Sequence, residues 1–368
     1  MRRRLSLAAT LVLAGMVTIT GQQPPARSAI PGSTMWTVEG AARMGDVKVE
    51  PFLDRPSLWL RNNTHAIRTD TRFTDGTIEF DLAPMAEGDF AAVVFRRESI
   101  TNHENIYIRP RQSGRFMAIQ YAPRINGSST WQLYPQFTAA LEWPRHAWTH
   151  VRVEVHGSRL EVFVGGASTP TLVVPRLRHR SATGEVAFWG RVNNRPEVWA
   201  AAISNISITP AADAPRLLAP ASERGVVTNW QVAGPLPAAS TVVTVPAGLT
   251  WEPMPVEESG LLNINSRVPV QPRQGPLAVF ARTTIQSATA RRVLAGIGYS
   301  DEVTVFVNGE PIYTARNGWE SRYPEYVGFV DPRFERVWLP LRAGENEVVL
   351  AVTDDQRFGW GCAMTIEP

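Results

Sequence analysis

One cysteine and one lysine, Cys362 and Lys48, are all that the 368 residues contain of either type. A lone thiol closes no intrachain disulfide, so apolar cores must hold the chain together even in an oxidising compartment. The setting of Cys362, GWGCAMTI, is an apolar strand pattern that reads as a buried, inert site. Basic charge is carried almost wholly by arginine, and no basic run of the nucleic-acid-binding kind occurs. Cys/His metal spacing, a GxSxG elbow, a P-loop and a tight acidic cluster for calcium are missing as well. No cofactor, metal or nucleic acid is therefore expected. Patterns of helical period are also nearly absent, which sets the fold class.

The first residues, MRRRLSLAATLVLAGMVTITG, join a basic start to an apolar run and small residues. Residues 1–21 read as a secretory signal, placing the mature chain in the periplasm or outside the cell. Only an uncleaved signal would tie it to a membrane. Its loss takes the formal charge from +3 to zero, so the basic balance belongs largely to the leader.

The 29 prolines and 27 glycines punctuate short runs that alternate apolar and polar residues. That is an all-β pattern, and its length suits two antiparallel β-sandwiches, jelly rolls in tandem. Strands are expected at GTIEFDLA, FAAVVFRR, NIYIRP, FMAIQYA, TWQLYP, THVRVEVHG, RLEVFVGG, GEVAFWGR and AAISNISITP. These place a first sandwich over 30–209. The stretch TPAADAPRLLAPA marks a linker at 210–221, and a second sandwich fills 222–368. In the latter, Asn308-Gly309 predicts a type I′ hairpin, because both turn positions need positive φ.

ENIYIRPRQSG, from residue 104, supplies the candidate site. Ile106 and Ile108 satisfy a core, while Asn105, Tyr107 and Arg109 take the other face. The same alternation adds Gln120 from the next strand, then Gln132 and Tyr134 from WQLY. Amides, guanidinium groups and aromatic plates are the equipment of a sugar site, since they bond hydroxyls and cover the apolar side of the ring. Arginines 109, 111, 115 and 124 against Glu104 suit a carboxylate or sulfate on that sugar.

GTIEFDLAP, ENIYIRPRQSG, QYAPRINGSSTWQLY, WTHVRVEV and GEVAFWG…AAISNISI resemble secreted bacterial concanavalin A-like, laminin-G-type domains, closest to the 3-keto-disaccharide-hydrolase-type branch. The resemblance covers about 35–209. It implies a jelly roll that binds glycan on its concave sheet or rim loops, with Arg96, Glu104, Asn105, Tyr107, Arg109, Gln120, Asn126, Trp131, Gln132 and Tyr134 as ligand-binding residues. VFVNG and LPLRAGENEV, within 275–368, resemble galactose-binding-like sandwiches. Aromatic residues in the loop RNGWESRYPEYVG, Trp319, Tyr323 and Tyr326, suit either sugar contact or packing over the sandwich edge.

Three functions follow as expectations. The first is a secreted lectin-like protein whose partner is a glycan or polysaccharide. The second is a 3-keto-glycoside hydrolase or lyase. The third is a structural or adhesion module with a protein partner. For the enzyme, Glu79 and Asp81 resemble the start of the laminarinase E-x-D-x-x-E pattern, but Leu82-Ala83-Pro84-Met85 leaves out its third carboxylate. Glu104 is the other carboxylate candidate.

Overall fold

The computed structural model describes residues 27–30, 32–39, 45–211, 225–238, 241–270 and 275–367. The expected leader and most of the expected linker lie outside these. Strands dominate the described residues, and their long ladders are antiparallel.

Two sheets form the first sandwich. One runs in the order Arg27–Ala29, Trp36–Glu39, Ala66–Phe73, Gly184–Arg191, Phe90–Ser99, Asn102–Ile108, Ile119–Tyr121, Thr138–Ala139. The other runs Leu172–Val174, Arg159–Val164, Thr149–His156, Gly76–Pro84, Ala201–Pro210, Arg55–Leu60, Val47–Phe52. Alternation explains how they meet. Val93, Phe95, Ile106 and Ile108 of the first pack against Ile78, Phe80, Leu82, Val151 and Val153 of the second, all buried.

Six-stranded and four-stranded sheets make the second sandwich, closing on Val303, Val305, Leu350 and Val352 against Ile297, Leu339, Cys362 and Met364. Asn308 and Gly309 take φ of 53° and 86°, the two positive values the hairpin Glu302–Val307/Glu310–Arg316 was expected to need.

One expected strand does not form. Residues 130–135 instead hold a short 3₁₀ turn, Trp131–Leu133, and begin another, Pro135–Phe137. Two prolines, Pro123 and Pro135, flank this segment, and both backbone bonds of Gln132 go to the second sandwich. Gln132 N–H donates to Phe358 O at 3.1 Å, and Val330 N–H donates to Gln132 O at 2.9 Å. Leu133 enters the first core together with Leu261 and Val330 from the C-terminal half. The two sandwiches therefore share apolar packing at this junction.

Candidate functional site

Strand Asn102–Ile108 carries out the predicted sorting. Ile106 and Ile108 enter the inter-sheet core, and Asn105 and Tyr107 point to the outer face of the eight-stranded sheet. Strand Gly184–Arg191 brings Ala187, Trp189 and Arg191 to that face, and Phe90, Ala92 and Val94 come from the strand between them.

Tyr107 lies at the centre. Its ring stacks on Phe90 at 5.0 Å and 9°, and Trp189 leans on it at 5.5 Å. The Arg109 guanidinium covers Tyr107 at 4.6 Å and Trp131 at 5.3 Å. Gln120 orients the arginine: Arg109 Nη2 donates to Gln120 Oε1 at 2.7 Å, and Gln120 Nε2 donates to Trp131 O at 2.7 Å. Asn105 accepts from Trp189 Nε1 at 3.2 Å and donates to Ala122 O at 3.1 Å. Thus Asn105, Tyr107, Arg109, Gln120 and Trp131 assemble as one group.

Two further arginines join them. Arg124 and Arg191 both act electrostatically on the Tyr107 phenol alongside Arg109. None of the three pairs with a carboxylate among the described residues. Burial lowers the Arg109 pKa to about 10; the Tyr107 phenol raises it back in part, yet Nη1 closes no bond of hydrogen-bonding geometry. Burial lowers Arg124 too, Tyr107 opposes this, and Arg191 adds to it. Arg191 lies over Phe90 at 4.8 Å and leaves its buried Nε without a partner. Uncompensated guanidinium charge in a low-dielectric setting is costly unless an anion completes it.

Two histidines extend the same face. His65 packs on Trp189 with ring centroids 6.4 Å apart and meets His103 at 5.3 Å. Burial first, then neighbouring positive charge, holds both well below the usual imidazole range, so both are neutral at neutral pH. His103 Nδ1 lies 3.0 Å from Ser99 O. A carbonyl only accepts, so Nδ1 carries the proton and Nε2 presents a lone pair.

The other expected residues go elsewhere. Arg96, at φ 46° in an irregularity of its strand, bonds Thr74 O, Asp75 and Gly157 O, tying a turn at the sheet end. Glu104 has the parity of Ile106 and faces inward, accepting from Tyr121 Oη at 2.7 Å and His179 N–H at 3.1 Å. Burial outweighs those bonds and lifts its pKa to about 7. It stands on the opposite side of the sheet from Tyr107.

Asn126, Gln132 and Tyr134 all serve the junction. Asn126 Nδ2 donates to Asn265 O at 2.9 Å, and Gln132 Nε2 donates to Val327 O at 2.9 Å. Tyr134 Oη donates to Glu257 at 2.9 Å. The 3₁₀ turns rotate Gln132 and Tyr134 away from the face that strand alternation assigned them. A cleft of about 610 Å³ opens beside this junction, lined by Asn126, Arg178, His179 and Glu257 among others. Three arginines, Arg176, Arg178 and Arg180, line it, and Arg178 is already neutralised, pairing with Glu257 at 3.2 Å and Glu258 at 2.6 Å.

Glu79 and Asp81 lie on the outer face of the seven-stranded sheet, across the sandwich from Tyr107. Asp81 accepts from Arg55 and Asn205, each at 2.7 Å, and meets His150 Nδ1 at 2.9 Å. Glu79 stands 3.6 Å from His150 Nε2. This is an ion-pair group on the opposite face of the sandwich from Tyr107. The residues that sequence reasoning left out, Trp189 and Arg191, were legible in EVAFWGR, where they alternate with Phe188 and Gly190. His65, Arg191 and Arg124 converge only through strand pairing.

No family model matches the chain, and no curated protein matches it. Solved structures do. A carbohydrate binding module, CBM66 from Bacillus subtilis, is 12% identical with a TM-score of 0.34, over 49% of this chain and 96% of that one. A Bacillus subtilis protein of unknown function with a galectin-like fold is 11% identical with a TM-score of 0.32, over 44% and 84%. The Bacteroides ovatus xyloglucan PUL GH43B is 11% identical with a TM-score of 0.35, over 51% and 40%. These are likenesses in strand arrangement, and no site residue is carried over from them.

Proposed function

We propose that the protein binds an acidic glycan on the outer face of the eight-stranded sheet, outside the cytoplasm. One observation carries this reading. Arg109, Arg124 and Arg191 act together on Tyr107 with no carboxylate partner among the described residues, Arg109 leaning only on the Gln120 amide and the Tyr107 phenol, while the buried Arg191 Nε closes no hydrogen bond. A uronate carboxylate or a sulfate supplies the missing acceptor in bidentate form. Tyr107 and Trp189 lie beside this group but are nearly buried, and the Tyr107 ring is already covered by Phe90 and Arg109, so the arginine charge is what the site chiefly offers.

The test is titration calorimetry of mature protein against acidic and neutral oligosaccharides of matched length. Binding confined to the acidic series, weakened by salt and lost in Arg109→Gln and Tyr107→Ala, supports the reading. Equal binding of neutral chains, or binding that survives both substitutions, overturns it.

The neutral His103 favours a second reading, a lyase or hydrolase on the same face. Its unprotonated Nε2 is a proton acceptor beside positive charge that would stabilise a developing oxyanion. Release of new chain ends from an acidic polysaccharide, abolished in His103→Gln while binding persists, is the result this reading requires. Absence of new ends from every polymer that binds leaves only the binding function.

A further inference from the structure

We propose that the second sandwich supplies an outer subsite for the same glycan chain, with Trp319 as its stacking platform. The inference rests on the reading that the Tyr107 face holds an acidic glycan, and it adds a requirement for chain length.

A continuous aromatic path leads out from the arginine site. From the Arg109 guanidinium the steps are 5.3 Å to Trp131, 5.4 Å to Phe358 and 5.9 Å to Trp319. Trp131 is nearly buried, whereas Trp319 is 42% exposed. Phe329 closes the flank, meeting Trp131 at 6.1 Å and the exposed Phe116 at 6.2 Å. The path therefore begins on the first sandwich and reaches solvent on the second.

Trp319 is held in place by its backbone as well as by its contact with Phe358. Its N–H donates to Gln356 Oε1 at 2.6 Å, and Gln356 Nε2 donates back to Trp319 O at 2.9 Å. Gln356 is itself fixed, its N–H donating to Asp301 Oδ2 at 2.6 Å. Asn317 pins the start of the loop by donating to Tyr299 O at 2.6 Å and Phe329 O at 3.0 Å. Tyr326 Oη donates to Asn317 Oδ1. A large aromatic ring kept in water on a loop with this many anchors loses little freedom on binding, which is what a stacking platform needs. Part of the indole meets Phe358, and the rest is left in water.

The occupant is further units of the chain whose charged group sits at Arg109. Aromatic stacking makes no demand on charge, so this subsite accepts the units by shape and sets a preference for longer chains.

The experiment compares wild type with Trp319→Ala, Trp319→Phe and Gln356→Ala, using short and long fragments of alginate, polygalacturonate, hyaluronan and heparin. Melting curves verify that each variant is folded. Wild type should bind long acidic fragments more tightly than short ones. Trp319→Ala should lose about tenfold on long fragments and nothing on short ones, Trp319→Phe should recover most of the loss, and Gln356→Ala should lose an intermediate amount. A wild type without length preference, or a Trp319→Ala that keeps it, overturns the inference and leaves the arginine site standing. If wild type binds no acidic fragment of either length, the site reading itself fails and this one with it.

Discussion

Arg109 and Gln120 are joined by one hydrogen bond of 2.7 Å that uses Nη2, while Nη1, also buried, closes no bond of hydrogen-bonding geometry. A guanidinium that is 4% exposed and faces no carboxylate weakens the folded state. Arg109→Gln should therefore melt no lower than wild type, while affinity for an acidic glycan falls at least about tenfold, the worth of a charge-assisted hydrogen bond. Differential scanning fluorimetry beside calorimetry reads both. A variant that melts several degrees lower would make Arg109 a structural residue.

Glu104 yields a pH prediction whose sign runs against habit for a carboxylate. Its folded pKa is raised to about 7 from the ordinary 4.5, burial being the main cause. The folded chain thus holds a proton that the unfolded chain has released, between those two values. Stability from this group is present below about pH 4.5 and is lost as pH rises to about 7, by about 3 kcal/mol in the limit. Asp301, raised to about 6 mainly by burial, adds a slope of the same sign over a lower window. Urea denaturation from pH 4.5 to 7.5 should show Glu104→Gln flattening the upper part of the decline. An unchanged slope in that variant would mean Glu104 stays ionised.

Gln132 ties the two sandwiches through both ends of its amide, donating to Val327 O at 2.9 Å and accepting from Ser300 Oγ at 3.0 Å. Gln132→Ala leaves the half-buried Val327 O without its donor while Ser300 Oγ keeps Asp301 Oδ1 at 2.9 Å, and should cost about 1–2 kcal/mol. Two resolved transitions should then replace one in a thermal scan, because the junction is weakened more than either core. Glycan affinity of the still-folded protein should hold within about twofold, which separates Gln132 from the binding group.

For the carboxylates of strand Gly76–Pro84, Glu79→Gln and Asp81→Asn should leave binding and any chain cleavage at wild-type level. Asp81→Asn should cost about 1 kcal/mol, since its ion-pair partner Arg55 is well exposed. Loss of a measurable activity in either variant would restore them as catalytic candidates.

The period of two in ENIYIR was enough to divide Ile106 and Ile108 from Asn105 and Tyr107, and EVAFWGR carried the same information for Trp189 and Arg191. Side-chain direction along a strand is local, so any unbroken alternating run reports it. Residue type alone also marked Arg109 and Gln120 as unusually polar for a sheet face.

Where the period breaks, local reading stops. WQLY has alternation on paper, yet 3₁₀ turns and bonds to Phe358, Val327 and Ser300 turn Gln132 and Tyr134 toward the second sandwich. Gln132 and Ser300 are 168 residues apart, and no local pattern reports a contact of that range. The gathering of Arg109, Arg124 and Arg191 around Tyr107, with no ion pair to a carboxylate among the described residues, is likewise a product of strand order. The sequence by itself determined the strands of unbroken alternation, their faces and the chemistry available to a site. Tertiary structure alone decided which of those groups meet, because charge pairing and burial depend on neighbours distant in the chain.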